Sequence, residues 1–219
     1  MMGGFDFNVL IQHKSLLLQG LWVSVQLTFI AIIGGMVLGT FLAMMRMSSV
    51  WIISALAGSY VNFLRSLPLI LVIFWFYVLT PKIVGHPIDA YSSVLIAFIL
   101  FEAAYYCEII RAGISSVKRG QVQAGLAMGF THLNMMRYVV LPQAFRNMLP
   151  VLLTQTIIMF QDTSIVYIVG VRDFLTTADV VANSTNRPIE LYTTVAITFL
   201  VICFTASRLV GRLQRRYAL

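Results

Sequence analysis

Five apolar runs of near membrane-spanning length constrain the fold of this chain more than any other feature of its sequence. They cover residues 21–45, 67–79, 91–110, 151–171 and 191–207. A helix needs about 20 predominantly apolar residues to cross the hydrocarbon core of a bilayer, and backbone polar groups in lipid must find partners within the protein. We therefore predict an all-α integral membrane protein with about five transmembrane helices.

The composition supports this prediction. Hydrophobic residues make up 59% of the 219 residues, charged residues make up 11%, and the mean hydropathy is +0.89. A soluble domain carries about 25% charged residues, so this chain cannot cover a water-facing surface. The net charge of +7 could indicate a nucleic-acid binder, but the basic residues stand between the apolar runs and not in a patch with exposed aromatic residues. We expect no nucleic-acid partner.

The lysines and arginines fall unevenly on the two sides that five spans define. One side takes eleven: Arg46, Arg65, Arg111, Lys118, Arg119, Arg137, Arg146, Arg208, Arg212, Arg215 and Arg216. The other side takes four: Lys14, Lys82, Arg172 and Arg187. Because basic residues accumulate in cytoplasmic loops, we predict that the N-terminus is outside and the C-terminus cytoplasmic.

The beginning of the chain is apolar but interrupted by charge. We divide the chain into an outer segment, residues 1–20, and a transmembrane domain, residues 21–219. Asp6 and Lys14 make the outer segment amphipathic, so we predict a helix over residues 7–18 that lies on the outer leaflet. A reentrant segment is the alternative.

The second run is short and contains prolines near both ends. Leu67-Pro68 suits either the start of a helix or a kink in a helix that begins near Ser59. In both cases we predict that the helix ends before Thr80-Pro81.

The loop over residues 111–149 is long and carries an apolar stripe, which consists of Val122, Leu126, Met128, Phe130, Leu133 and Met136. Gly129 suits the left-handed position that ends a helix, Thr131 suits the cap of a second helix over residues 132–139, and Pro142 is predicted to stop it. The stripe could rest on lipid headgroups or dock into a groove of a soluble partner.

The spacing within this loop resembles the conserved cytoplasmic loop of ABC-importer permeases, which reads EAA, three residues, Gly, nine residues, Ile, one residue and Leu-Pro. The corresponding residues here are Gln123, Ala124, Gly125, Gly129, Val139, Leu141 and Pro142. Gln123 replaces the Glu, and Gly125 replaces the second Ala. The resemblance implies a type I importer permease in the bacterial cytoplasmic (inner) membrane, whose loop couples it to an ATPase.

The same resemblance implies several partners. They are ATP-binding subunits, a second permease subunit (a copy or a paralogue), an extracytoplasmic amino-acid-binding protein and membrane lipid. The chain has no GxxxxGK[ST] motif, so ATP would be used by the partner ATPase, and we expect this chain to bind no cofactor and to be no enzyme. A stand-alone secondary transporter or channel is the alternative function.

Further segments narrow the resemblance. NFLRSLPLILVIFWFY, EIIRAGISSVKRGQ, LPQAFRNMLP and FQDTSIVY are similar to the polar amino-acid branch of these permeases. FEAAYYCEIIRAGI together with FQDTSIVY most resembles the glutamate/aspartate importer permeases. The implied function is the import of polar amino acids, glutamate and aspartate in particular.

Two acids lie near the middle of predicted spans, Glu102 in the third and Asp162 in the fourth. An acid at the bilayer centre costs about 2.5–3.5 kcal/mol on insertion scales, so such residues normally face a polar interior. We predict a substrate path in which Glu102 or Asp162 meets the ammonium of an amino acid and Gln161, Thr163 and Ser164 offer hydrogen bonds. The alternative is that the polar residues after Gln161 only satisfy backbone groups at a helix break. His13, His86 and His132 form no metal-ligand pattern.

Overall fold

The computed structural model describes residues 5–217, and every regular element among them is helical. Residues 1–4 and 218–219, at the ends of the predicted segments 1–20 and 21–219, lie outside the described residues. The α-helices are α1 (Phe7–Gln12), α2 (Lys14–Arg46), α3 (Trp51–Arg65), α4 (Leu69–Val84), α5 (Ala90–Ser115), α6 (Arg119–Ala127), α7 (His132–Met135), α8 (Leu141–Asp162), α9 (Phe174–Thr185) and α10 (Pro188–Tyr217). A π-helical turn, Met136–Val140, joins α7 to α8, and a 3-10 helix, Thr163–Val169, follows α8.

Four helical stretches in the described part of the chain are long and apolar enough to cross a membrane. They are Lys14–Arg46, Ala90–Ser115, His132–Val169 and Pro188–Arg215. A fifth span is formed if α3 and α4 count as one broken span, whose halves are bent by 106°. The prediction of an all-α membrane protein with about five spans is confirmed.

The first span begins earlier than residue 21. The predicted helix over residues 7–18 is divided at His13, because α1 ends there and Lys14 already belongs to α2. The early part of α2 packs against the chain segment before α9: a Cβ on Gly20 would lie 2.7 Å from the backbone oxygen of Asp173. The apolar pattern could not reveal this contact, since Asp173 is distant in sequence.

The helix α9 was not predicted from the sequence. Asp173 caps its first turn by accepting hydrogen bonds from the backbone N–H groups of Leu175 at 3.1 Å and Thr176 at 2.9 Å. Burial raises the pKa of the Asp173 carboxyl, and the hydrogen bonds from Thr176 and Leu175 oppose that rise. The Ser24 hydroxyl of α2 accepts from the N–H of Phe174 at 3.1 Å, so α9 is held against the first span.

The two prolines of the second run behave differently from each other. Pro68 lies at the N-cap of α4, which confirms the first alternative, a helix start at this point. The prediction of an end before Pro81 was wrong, because α4 continues through it to Val84. Gly85 ends the helix with φ +81° and donates its N–H to the Pro81 carbonyl at 3.0 Å, which is a left-handed C-cap one turn later.

Pro142 does not stop the second helix of the loop. The chain is helical from His132 to Val169, and α8, the long helix of this stretch, already begins at Leu141 and not at residue 151. The wide π-helical turn ends at Val140, two residues before the proline, and the N–H of Leu141 is bonded to the carbonyl of Met136. Because Pro142 lies in the first turn of α8, its missing N–H and its ring are tolerated there.

The centre of the fold is a close contact between α2 and α5. A Cβ on Gly39 would lie 2.7 Å from the Tyr106 Cβ and 2.9 Å from the Ala103 carbonyl oxygen. A Cβ on Gly35 would lie 2.8 Å from the Cβ of Glu102. Small residues allow the backbones of membrane helices to approach this closely, so the two glycines set the distance between the helices.

We expect Gly39→Ala to lower the free energy of unfolding by about 1–3 kcal/mol, because the added methyl group overlaps Tyr106 and the Ala103 carbonyl. Gly211→Ala in α10 is the matched control. No atom lies within 4 Å of a Cβ placed there, so this variant should gain about 0.5–1 kcal/mol from alanine's lower backbone entropy cost. Denaturant unfolding of the purified chain in detergent measures both changes, and equal stabilities of the two variants would contradict the close contact.

Candidate functional site

The segment that carries the permease-like spacing forms a hairpin of α6 and α7, residues 119–135, which we call the α6–α7 hairpin. Gln123 and Ala124 are exposed on α6, whereas Gly125 is buried. A Cβ on Gly125 would lie 3.4 Å from Cγ of Met135 and 3.9 Å from Cγ2 of Val139. Gly125 in the first part of the spacing and Val139 in its last part therefore lie close to each other, and a Cβ at Gly125 would make ordinary van der Waals contacts there.

The turn of the hairpin has the predicted geometry. Gly129 has φ +82° and donates its N–H to the Leu126 carbonyl at 3.0 Å. The N–H of Phe130 bonds to the Gly125 carbonyl at 3.1 Å. These two hydrogen bonds are the Schellman motif. Thr131 then caps α7 by accepting from the N–H of Asn134 at 3.3 Å, so both predicted turn residues are confirmed.

The predicted apolar stripe divides into two faces. Val122 and Met136 pack inward on a cluster that anchors the hairpin to the rest of the bundle, consisting of Val117, Met135, Val140 and Ala144. The other four residues are exposed, and the side chains of Met128 and Leu133 are each 78% exposed. We call these four the hairpin tip: Leu126, Met128, Phe130 and Leu133. Leu141 and Pro142 are exposed beside it, at the start of α8.

The intramembrane acid Glu102 is sealed inside the bundle with an exposed fraction of 1%. The side-chain amide of Gln155 in α8 donates to both carboxylate oxygens at 3.1 Å. The sequence predicts a polar interior around this acid, but it did not identify a neutral amide of the same chain as its partner. Gln155 lies seven residues, or two helical turns, before Asp162, and this same-face spacing could have revealed it.

The remaining predicted substrate residues lie where α8 becomes the 3-10 helix. Asp162 is half-buried. The hydroxyls of Thr163 and Ser164 donate to the carbonyls of Phe160 and Gln161 at 2.7 and 2.8 Å. They thus satisfy backbone groups at the helix break, as the alternative interpretation proposed.

Gln161 lies away from the two acids. Its side chain lines a cleft between α8 and α10 with Ser207 and Gln214. The structure therefore brings Glu102 and Gln155 together, with Asp162 two turns after Gln155 on α8, and places Gln161 on another face of that helix.

Three arginines surround Glu108, which lies six residues after Glu102 on α5. Arg46 at the end of α2 forms an ion pair with it, and Arg111 donates to it at 2.9 and 3.3 Å. Arg65 at the end of α3 lies 3.7 Å from its Oε2. The sequence predicts the Glu108–Arg111 pair from the spacing of three on one helix, but not that the ends of two other helices join it. We call these four residues the Glu108 cluster.

The chain is similar to known membrane transport subunits. A family model described as "Binding-protein-dependent transport system inner membrane component" matches residues 35–219. The glutamate/aspartate import permease protein GltK of Escherichia coli O6:H1 is 42% identical over 98% of this chain and 99% of its own length. The probable glutamine ABC transporter permease protein GlnM of Bacillus subtilis is 32% identical over 96% of this chain and 97% of its own.

A solved structure agrees with these relatives. The crystal structure of an amino acid ABC transporter with histidines superposes with a TM-score of 0.90 and 36% identity, covering 96% of this chain and 98% of that one. In the described residues, no group of three or more His, Cys, Asp or Glu could hold a metal ion.

A double-mutant cycle tests the pairing of Glu102 with Gln155. We expect Gln155→Leu to lower the free energy of unfolding by about 1–3 kcal/mol, because it leaves a buried acceptor without its donor. The double variant, with Glu102→Leu added, should lose less than the sum of the single variants. Unfolding of the purified chain in detergent gives the four values, and strictly additive losses would show that the two side chains do not interact.

Proposed function

The chain belongs to the family of binding-protein-dependent transport system inner membrane components, and we propose that it forms the translocation path for glutamate and aspartate. It is a multi-pass inner-membrane permease subunit of an ABC amino-acid importer. The observation that carries the choice of acidic amino acids is the higher full-length identity to the glutamate/aspartate permease than to the glutamine permease. Family membership favours an importer subunit over a stand-alone carrier or channel.

The family implies an ATP-binding subunit and a substrate-binding protein as partners. We propose that ATP is bound and hydrolysed on a separate chain, since the sequence contains no phosphate-binding loop. A second permease subunit, either a copy or a paralogue, and membrane lipid complete the proposed assembly.

The orientation remains our proposal, with the N-terminus outside and the C-terminus in the cytoplasm. Three of the eleven basic residues that the sequence assigns to the cytoplasmic side lie together in the Glu108 cluster. The α6–α7 hairpin follows the same end of α5. The distribution of charge and the fold thus support one cytoplasmic face.

We propose that the hairpin tip couples this chain to the ATPase. A short helix that presents an apolar face fits a groove on a soluble partner, and the tip exposes four apolar side chains together. The predicted coupling residues divide into two groups. Gln123 and Ala124 border the surface of α6, and Gly125, Gly129, Val139, Leu141 and Pro142 shape the hairpin and its junction with α8.

In the proposed substrate path, Asp162 meets the ammonium of the amino acid, and Gln155 fixes the Glu102 carboxylate behind it. Thr163 and Ser164 donate to backbone carbonyls. Ser164 is half-buried, and its hydroxyl oxygen still has acceptor capacity for an ammonium, whereas Thr163 is fully buried and supports the helix break from within. Gln161, on another face of α8, would reach substrate only from the side of α10.

Leu133→Asp tests the coupling role. We expect it to abolish co-purification of the ATPase subunits and substrate-stimulated ATP hydrolysis, because an aspartate in an apolar groove would be desolvated without a partner. Leu133→Met keeps the side chain apolar and is the matched control. Normal attachment and uptake with Leu133→Asp would remove the hairpin tip as the docking element.

Competition for uptake tests the substrate. In proteoliposomes that contain the complete importer, excess unlabelled L-aspartate should suppress uptake of labelled L-glutamate, whereas L-glutamine and L-arginine should not. Asp162→Asn should lower the uptake rate by about tenfold, because a neutral amide loses a charge-assisted hydrogen bond to the ammonium. Suppression by glutamine alone would assign the chain to another amino acid, and unchanged uptake with Asp162→Asn would exclude its contact with substrate.

A further inference from the structure

The Glu108 cluster holds more positive charge than its one carboxylate neutralises. Three guanidinium groups face Glu108, and no other acidic residue in the described part of the chain forms an ion pair with them. Arginine stays charged in proteins, so two positive charges remain in excess. Such an excess next to low-dielectric walls attracts anions.

Arg65 is the member of the cluster with most hydrogen-bonding capacity left. Its only contact with Glu108 is an ion pair at 3.7 Å, too long for a hydrogen bond. Its guanidinium carbon lies over the Tyr105 ring, 5.4 Å from the ring centroid, and 40% of its side chain is exposed. This cation–π contact leaves the N–H groups of the guanidinium available for a planar, bidentate acceptor such as a carboxylate.

A cavity of about 400 Å³ lies beside this guanidinium. Its lining includes Arg65, Glu108, Ala112, Ser116, Asn147 and Met148. Asn147 of α8 donates to the Ser116 hydroxyl at 2.8 Å, so a polar bridge between α5 and α8 forms part of the wall. A pocket of this size holds a small molecule such as an amino acid.

The cavity lies along the same contact between α5 and α8 as the Glu102–Gln155 pair. Ala112 follows Glu102 by ten residues on α5, which is about 15 Å along the helix axis. The proposed substrate path therefore has a negatively charged part near Asp162 and a positively charged part nearer the end of α5.

We propose that Arg65, supported by the Glu108 cluster, forms a carboxylate-binding site in this cavity, which receives the carboxylate of the amino acid on the cytoplasmic half of the path. This inference rests on the proposed function for the identity of the ligand. A phosphate of an anionic lipid headgroup has similar chemistry, and the experiment separates the two sources. Glutamate carries two carboxylates, one on the main chain and one on the side chain. Their two negative charges match the two excess positive charges of the Glu108 cluster.

Thiol accessibility tests the site without requiring transport. In the full importer complex, Cys107→Ala and Cys203→Ala remove the two native thiols of this chain, and Ala112→Cys places a reporter thiol in the cavity lining. The complex is held in phosphatidylcholine nanodiscs and treated with a sulfonate-bearing or a trimethylammonium-bearing methanethiosulfonate. Val151→Cys, also in the lining, is a second reporter should the first variant fail to fold.

We expect the anionic reagent to react about tenfold faster than the cationic one, as a focused positive field predicts. Arg65→Gln should abolish most of this preference, while Arg212→Gln, which removes an equal charge from the exposed surface of α10, should not. L-Glutamate should slow the reaction of the reporter, equal concentrations of ethanolamine should not, and the protection should disappear with Arg65→Gln.

Three other results have definite meanings. Equal rates for the two reagents would overturn the site. A preference that phosphatidylglycerol in the nanodisc suppresses and that L-glutamate leaves unchanged would assign the cavity to lipid and overturn the proposal. Protection by L-glutamate in a complex that shows no ATP-driven uptake of it would uphold the carboxylate site while contradicting the proposed transport function.

Discussion

The contact between α2 and α5 through Gly35 and Gly39 determines where the functional groups of this protein lie. It brings the backbone of α2 against Glu102 and Tyr106 with no side chain between them. Glu102 is then closed off on one side by α2 and on the other by α8, which supplies Gln155. An acid in the middle of a span is tolerated here because the surrounding helices bury it and Gln155 donates a hydrogen bond to its carboxylate.

Helix α5 carries two glutamates less than two turns apart, and they have opposite environments. Glu102 is buried with a neutral amide as its hydrogen-bond partner. Glu108 lies at the end of the apolar region with arginines from three helices around it. The first joins the interior of two spans, and the second joins the ends of α2 and α3 to α5. The same residue type thus has two roles on one helix: Glu102 links the interiors of two spans, and Glu108 holds helix ends together.

Local chemistry was predictable from the sequence, and tertiary contacts were not. Gly129 and Thr131 could be assigned to a C-cap and an N-cap because those roles depend on backbone conformation and on neighbours within a few residues. Pro142 was misjudged because the π-helical turn before it changes the geometry that a proline meets. The partner of Gly20 was missed because Asp173 is distant in sequence, whereas α9, which has a local cap at Asp173, and Gln155, which lies two turns before Asp162, left signals in the sequence that were overlooked. The apolar runs give the number of spans, while single close contacts decide where each span begins.

The uninterrupted helical path from the hairpin tip into the membrane has a mechanical consequence. Because α7, the π-helical turn and α8 are continuous, no flexible linker separates Leu133 from Gln155 and Asp162. The helix α8 alone has 22 residues, or about 33 Å of rise. A displacement of the tip is therefore passed to α8 through helical backbone alone. Pro150 lies inside α8 and removes one backbone hydrogen bond, so any bending between the hairpin and Gln155 is expected at this residue.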